Sequence, residues 1–376
     1  MSGIYLHIPF CKQACHYCDF HFSTSLGKKE AMVEALSKEL ELRKGAVEEE
    51  VQTIYFGGGT PSLLSAEELD RLIDTVEEHF LVSEYPEITL EANPDDLSQE
   101  IVVQLAESRV NRLSIGIQSF FEEDLKLMNR AHSAAEAIQS IELAKEHFDN
   151  FSIDLIYGIP GMNAERWMEN LNKALSFDVP HLSCYALTVE PKTALHHFIE
   201  KGTVAPVDDE VAQSHHQLLV EITAQAGYDN YEFSNFGKPG FYSENNMAYW
   251  HGEPYLGVGP SAHSYDGKYR SWNVSNNSKY IKAIEASSLP LERELLSKND
   301  TYNEYVMTRL RTMWGISLEE VEDLFGIEYR EHLLLHAQSH VEADRLELIG
   351  QQLLVTKTGK FLSDGIASDL FKVEVS

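Results

Sequence analysis

Three of the chain's four cysteines, Cys11, Cys15 and Cys18, fall within eight residues, and Cys184 stands alone. Three thiolates at Cys-x3-Cys-x2-Cys spacing can face one small object, which suits an iron–sulfur cluster or zinc. Zinc takes a fourth ligand, for which His7, His16 and His21 are close in sequence, but no second cysteine pair exists to complete the usual spacing. A [4Fe–4S] cluster on three cysteines leaves one iron without a protein ligand, and an open metal position is what a reactive site keeps. Further chemistry-bearing groups sit where strands are expected to end: the run Gly57-Gly58-Gly59-Thr60-Pro61, then Glu91 and Gln118. Asp154 follows on a fifth strand, with Arg130 just before a helix. Taken singly, a glycine run is a turn, and a carboxylate is a helix cap or an ion-pair partner. Their recurrence along successive strands is harder to read as packing.

The elements that would position these groups alternate in type. The pattern predicts strands over residues 4–8, 53–56, 87–91, 112–117, 152–157 and 181–187. Helices are expected over 28–44, 65–80, 97–108, 133–148 and 164–177. Two of them open with capping boxes, Ser65 with Glu68 and Ser133 with Glu136. Six β-then-α units imply crossover connections and a parallel sheet, either doubly wound or a barrel-like (β/α)6 arrangement. From residue 235 the texture changes. Residues 235–270 are rich in Gly, Tyr, Asn and Pro and read as one long irregular segment. Helical patterns follow at 278–286, 301–313, 317–325 and 331–346, and residues 353–358 and 359–362 read as a small hairpin. The expected division is a core barrel over 1–235 and an irregular segment plus helical domain over 236–376.

The chain sets 30 Lys+Arg against 60 Asp+Glu, a formal charge of −30 over 376 residues. So acidic a surface disfavours a nucleic-acid groove, which needs a positive footprint, and docking on anionic lipid. Any protein client is expected to approach through a basic face. No stretch reaches the ~20 apolar residues of a membrane span. Residues 1–10 lack a basic leader and a cleavage site, so a cytoplasmic location is expected, where structural disulfides are rare.

Cys11-Lys-Gln-Ala-Cys15-His-Tyr17-Cys18, placed after the first strand of a (β/α)6 pattern, resembles the radical S-adenosylmethionine (SAM) superfamily. Tyr5, Gly57-Gly-Gly-Thr60-Pro61, Glu91-Ala-Asn-Pro94, Gly116-Ile-Gln118-Ser-Phe120, Asn129-Arg130 and Asp154-Leu-Ile-Tyr-Gly158-Ile-Pro160 narrow the resemblance. They are similar to the branch that holds oxygen-independent coproporphyrinogen III oxidase and the heme chaperone HemW family. The resemblance implies a partial (β/α)6 TIM-like barrel with a C-terminal, mainly helical domain. It assigns Cys11, Cys15 and Cys18 to a [4Fe–4S] cluster whose open iron is chelated by SAM, which is then cleaved to a 5′-deoxyadenosyl radical. Tyr5 and Tyr17 would flank SAM. Gly58 and Gly59 would hold its amino group through the backbone beside Thr60, and Glu91, Gln118, Arg130 and Asp154 would line the rest. The chemistry agrees: an ammonium seeks carbonyls, a ribose diol a carboxylate or amide, and a carboxylate an arginine.

Within the branch, the oxidase carries a fourth cysteine where this chain has Phe20, in Cys18-Asp19-Phe20, and a longer segment ahead of the first strand. Both differences favour the HemW side: heme bound as cargo and passed to an apo-hemoprotein, with coproporphyrinogen oxidation expected to be absent. The runner-up is the oxidase activity itself. The resemblance leaves a homodimer open. HemW chains carry His-Asn-x-x-Tyr-Trp, and here the stretch is Asn245-Asn246-Met-Ala-Tyr249-Trp250. A carboxamide is a poor axial ligand to heme iron where imidazole is a good one, so His251 and His263 are the substitutes to test. Tyr249 and Trp250 suit the face of a flat tetrapyrrole. Adjacent residues point apart on a helix, so His196-His197 and His215-His216 are not expected to chelate. Cys184 reads as a core thiol.

Overall fold

The computed structural model describes residues 2–373. Six strands pair in parallel and in chain order: β1 (Ser2–Ile8), β2 (Val51–Gly58), β3 (Val82–Ala92), β4 (Arg112–Gln118), β5 (Phe151–Tyr157) and β6 (His181–Ala186). Helices Lys29–Leu42, Ala66–His79, Gln99–Glu107, Ala134–His147 and Ala164–Ser176 connect them. Both expected capping boxes form, at Ser65 and Ser133. Alternation along the strands decides which side chains meet the helices. Ile4, Leu6 and Ile8 of β1 are buried in the apolar core. The other face carries Gly3, Tyr5 and His7, and its polar neighbours connect across strands. Tyr5 stacks on Tyr55, Tyr55 reaches Glu91, Ser114 reaches Asp154, and Ser152 bonds His181. The sheet is a partial barrel with a polar interior. It does not close on itself, because β1 pairs outward with a later strand and so does β6.

Those later strands correct the expectation for residues 235–270. That stretch holds β7 (Asn235–Gly237), the helix Glu244–Trp250, β8 (Tyr255–Val258), β9 (His263–Tyr265) and part of β10 (Tyr269–Asn273). With β11 (Leu291–Leu295) they complete an 11-stranded sheet in the order β11-β10-β9-β8-β1-β2-β3-β4-β5-β6-β7. Strands this short carry too few alternations to show a period, and they exist because β1 and β6 offer unpaired edges. Gly257 shows why the stretch is glycine-rich: a side chain there would overlap the backbone of His263 on the neighbouring strand.

The C-terminal part is mainly helical, with Lys298–Leu310, Leu318–Phe325, Ile327–Glu342 and Ser363–Leu370. Three short strands, β12 (Ile316–Ser317), β13 (Leu346–Ile349) and β14 (Gln352–Val355), join them. The expected hairpin is therefore shifted. Its first arm is β13, which starts at the last residue of the expected helix and runs through a stretch given no element in sequence, and residues 359–362 turn instead, with Gly359 pressed on the Arg345 backbone. This part has its own apolar cluster, from Tyr302 to Leu370, whereas the barrel's cluster continues through Ile284. The composition shift at 235 thus marks the start of the sheet extension, and the two cores part later, between Ile284 and Tyr302. Among the described residues no helix is long and apolar enough to cross a membrane.

Candidate functional site

β1 hands the chain directly to the cysteine loop, which is strapped to the connection that follows β4. The His16 N–H donates to Met128 O (3.0 Å), Gln13 Nε2 to Asn129 O (2.9 Å), and Asn129 Nδ2 to Ala14 O (2.8 Å). Asn129 takes a left-handed conformation, φ 57°, to make this turn. The three thiols are half-buried and free. Burial raises the Cys11 and Cys18 pKa values, the latter to about 11, and the neighbouring cysteines raise both further, so the three sulfurs share one field. A cluster would relieve that mutual repulsion by binding all three as thiolates.

The nearby histidines are committed elsewhere. His7 bonds Tyr5 Oη (3.2 Å) and His21 O (2.9 Å), His16 Nδ1 bonds Leu127 O (2.8 Å), and His21 Nε2 bonds Asn277 Oδ1 (2.6 Å). Among the described residues no three His, Cys, Asp or Glu side chains converge on a single-ion site. No histidine therefore joins the cysteines in a single-ion site among the described residues. A cubane differs, because it spreads three thiolates over three separate irons.

Arg130 closes the loop from the opposite side. Its Nη1 donates to Cys15 Sγ and Tyr17 Oη (both 3.4 Å), and its Nη2 to Asn93 Oδ1 (2.6 Å) and Gly116 O (3.0 Å). Its Nε is buried without a partner, a donor left for an anionic group such as a ligand carboxylate. Gly116 leaves room for this packing, since a Cβ would stand 2.8 Å from Gln118 Nε2 and 3.1 Å from Arg130 Nη2 and would push one of them aside. Gln118 itself ends β4 with φ 66° and is buried beside them. Tyr17 is driven up in pKa by burial, so it stays a neutral phenol.

The glycine run does something more specific than leave its backbone open. The Gly59 N–H donates to Ile8 O (2.9 Å), Thr60 N–H to Phe10 O (2.6 Å), and Gly58 N–H to Glu91 Oε2 (3.2 Å). With these N–H groups used internally, the run has carbonyls left to offer, the right polarity for an ammonium. Gly58 sits at φ 108° with no room for a side chain beside His7. Thr60 is buried, accepts from Asn93 Nδ2 (3.1 Å), and hydrogen-bonds the Cys11 thiol.

Two buried carboxyls complete the interior. Glu91 accepts from Tyr55 Oη (2.9 Å) and is pushed up to about 7, by burial first and then by the charge of Asp154. Asp154 accepts from Ser114 Oγ (3.3 Å) and is raised by burial to about 6. Neither faces a cation at ion-pair distance among the described residues. The pair would gain from a cationic or hydroxyl-rich ligand between them.

The structure thus gathers Cys11, Cys15, Cys18, Tyr17, Thr60, Gln118 and Arg130 around one loop, with Glu91 and Asp154 deeper in the barrel. Tyr5 packs beside them on Tyr55. Tyr55, which joins the carboxyl network, carried no signal in sequence beyond its place near a strand end, and Asn93, which joins the arginine network, was visible only as part of the Glu91-Ala-Asn-Pro94 run. Asn245 lies elsewhere. It is buried, its N–H donates to Glu87 Oε1 (3.1 Å), and its Oδ1 accepts from Thr53 Oγ1 (3.3 Å). Thr53 lies two residues into β2 and Glu87 midway along β3, paired with each other and four or more residues before the glycine run and Glu91. His215 and His216 point apart as expected, one to Gly158 N–H and the other to Phe233 O. A repeat passed over in sequence, His332-x3-His336-x3-His340, lies in the C-terminal part, where His332 and His340 bond Phe371 O and Asp369. Cys184 is core.

Residues 5–174 match the radical SAM superfamily, and residues 296–362 match the HemN C-terminal domain. The chain is 36% identical over 355 residues to the heme chaperone HemW of Lactococcus lactis, covering 94% of this chain and 90% of that one. To the heme chaperone HemW of Mycobacterium tuberculosis it is 34% identical over 375 residues, covering 98% and 94%. The structure of coproporphyrinogen III oxidase (HemN) from Escherichia coli superposes with a TM-score of 0.85 at 23% identity, over 99% of this chain and 90% of that one. That last likeness speaks to the fold.

Proposed function

The chain belongs to the HemW family of the radical SAM superfamily, and from that membership we propose that it binds heme and delivers it to an apo-hemoprotein in the cytoplasm. Family membership implies a [4Fe–4S] cluster and SAM. The residues suit them: Cys11, Cys15 and Cys18 to hold the cluster, the Gly58 and Gly59 carbonyls beside Thr60 for an ammonium, and the free Nε of Arg130 for a carboxylate. Tyr5 and Tyr17 would border SAM, and Glu91, Gln118 and Asp154 would take its polar remainder. When bound, cluster and SAM supply one-electron reductive chemistry. What the chain's own residues do is separable from it. Arg130 keeps an anion oriented against the loop, and the deep carboxyls, near neutral in pKa, adjust their charge to the ligand that enters.

The observation that carries the chaperone reading is Phe20. It stands 69% exposed on the cysteine loop, at the position where the oxidase branch is expected to have its fourth cysteine. An apolar ring there offers contact area to a flat ligand or a client and no ligation. The test reconstitutes the cluster without oxygen, adds SAM, and supplies either heme or coproporphyrinogen III. A heme Soret band without formation of protoporphyrinogen supports the proposal, and turnover to protoporphyrinogen overturns it.

A further inference from the structure

We propose that heme is held in a groove along β9, β10 and β11, with His263 as the iron ligand; this rests on the heme-handling reading above and gives it a location. His263, Trp272 and Glu292 stand in register across the three strands, and Tyr265, Arg270 and Glu294 form the next row on the same face. The groove measures about 830 Å³, within the range of small-molecule and cofactor sites. Leu289, Leu291 and the Trp272 ring give it apolar surface, and Arg270, whose Nη2 is paired with Glu304 (2.6 Å), brings its guanidinium to the groove one row from the histidine. A flat apolar macrocycle with an iron at its centre and carboxylates at its edge matches that set of groups.

His263 is distinguished by what it does not do. Its ring stacks on Trp272 (centroids 5.9 Å, 30° between planes), it is exposed, and its nitrogens make no hydrogen bond among the described residues. Around the cysteine loop, His7 has both ring nitrogens bonded, and His16 and His21 have one each. His251, the other substitute for a ligand at 245, is wedged edge-on against Trp314 (5.1 Å) and does not line the groove. Asn245 is buried on Thr53, so no ligand reaches the position where relatives are expected to place their histidine. The groove also adjoins the cysteine loop, since Asn277, two residues beyond Ser275 of the groove wall, accepts on Oδ1 from His21 Nε2. Glu292 and Glu294 face the same space and oppose the heme carboxylates, which makes the hold weak and release easy.

The test titrates ferric heme into the cluster-reconstituted full chain and its His263→Ala, His251→Ala and Glu294→Gln variants, following the Soret band. His263→Ala should lose the ligand-dependent band position and bind about tenfold or more weakly, with free imidazole restoring the band. Glu294→Gln should bind more tightly, and His251→Ala should match the parent. An unchanged band and affinity in His263→Ala, or the loss appearing in His251→Ala instead, overturns the assignment while heme binding itself stands. A parent chain that takes up no heme overturns this inference together with the reading beneath it.

Discussion

Glu91→Gln separates the cost of a buried charge from the role of that charge in binding. The carboxylate accepts two hydrogen bonds on different oxygens, from Tyr55 Oη on Oε1 at 2.9 Å and from Gly58 N–H on Oε2 at 3.2 Å; a glutamine keeps both contacts with its amide oxygen facing the Gly58 N–H and its NH2 donating to the Tyr55 hydroxyl oxygen. Burial, then Asp154, raise its pKa from 4.5 to about 7. Below pH 4.5 the folded and unfolded chains both carry the proton, and the charge costs nothing. Between 4.5 and 7 the folded chain keeps a proton that the unfolded chain has lost, so stability falls as pH rises, and above 7 the loss is complete. At about 1.4 kcal/mol per pH unit that loss is about 3 kcal/mol. Glutamine never incurs it. Thermal unfolding of the cluster-free chain should therefore show Glu91→Gln gaining on the parent by several degrees in Tm between pH 5 and pH 8. Titration calorimetry on the cluster-loaded chain should show the opposite for function, with SAM bound more weakly by the variant. A Tm difference that does not change with pH, or one that moves toward the parent as pH rises, would refute the reasoning about the buried carboxyl.

Other perturbations test other parts of the site. Arg130→Lys cannot span Cys15, Tyr17, Asn93 and Gly116 at once; it should cost roughly 2–3 kcal/mol in urea unfolding, since hydrogen bonds to charged groups are each worth about that much. Gly58→Ala places a methyl group against His7 at φ 108° and should destabilise by at least ~2 kcal/mol, measured the same way. Cys15→Ala should fail to retain a full [4Fe–4S] complement on iron and acid-labile sulfide analysis; full retention would remove it from the ligand set. Phe20→Ala should leave cluster content unchanged and weaken heme uptake or its transfer to a client, read by gel filtration of the heme.

What the sequence determined by itself was whatever is local. Cys11, Cys15 and Cys18 lie on one loop, so their candidacy as ligands of one metal centre is legible from spacing alone. The six barrel units carry their own periodicities and caps, and their strands begin or end within a few residues of the expected places, β3 starting five earlier. The substitutions at Phe20 and Asn245 are likewise visible without a structure. The tertiary structure decided everything that depends on a distant partner. Arg130 meets Cys15 across 115 residues of chain, and no pattern near either one announces the contact. The strands between 235 and 295 form because remote edges are left unpaired, which local alternation cannot encode. The carboxyl pKa values follow from desolvation, a property of the surrounding fold. Asn245 and His263 both drew notice in sequence, as a lost ligand and a possible replacement. Only packing distinguishes them, since it buries the first against Thr53 and Glu87 and leaves the second with no ring-nitrogen hydrogen bond among the described residues, beside an open groove.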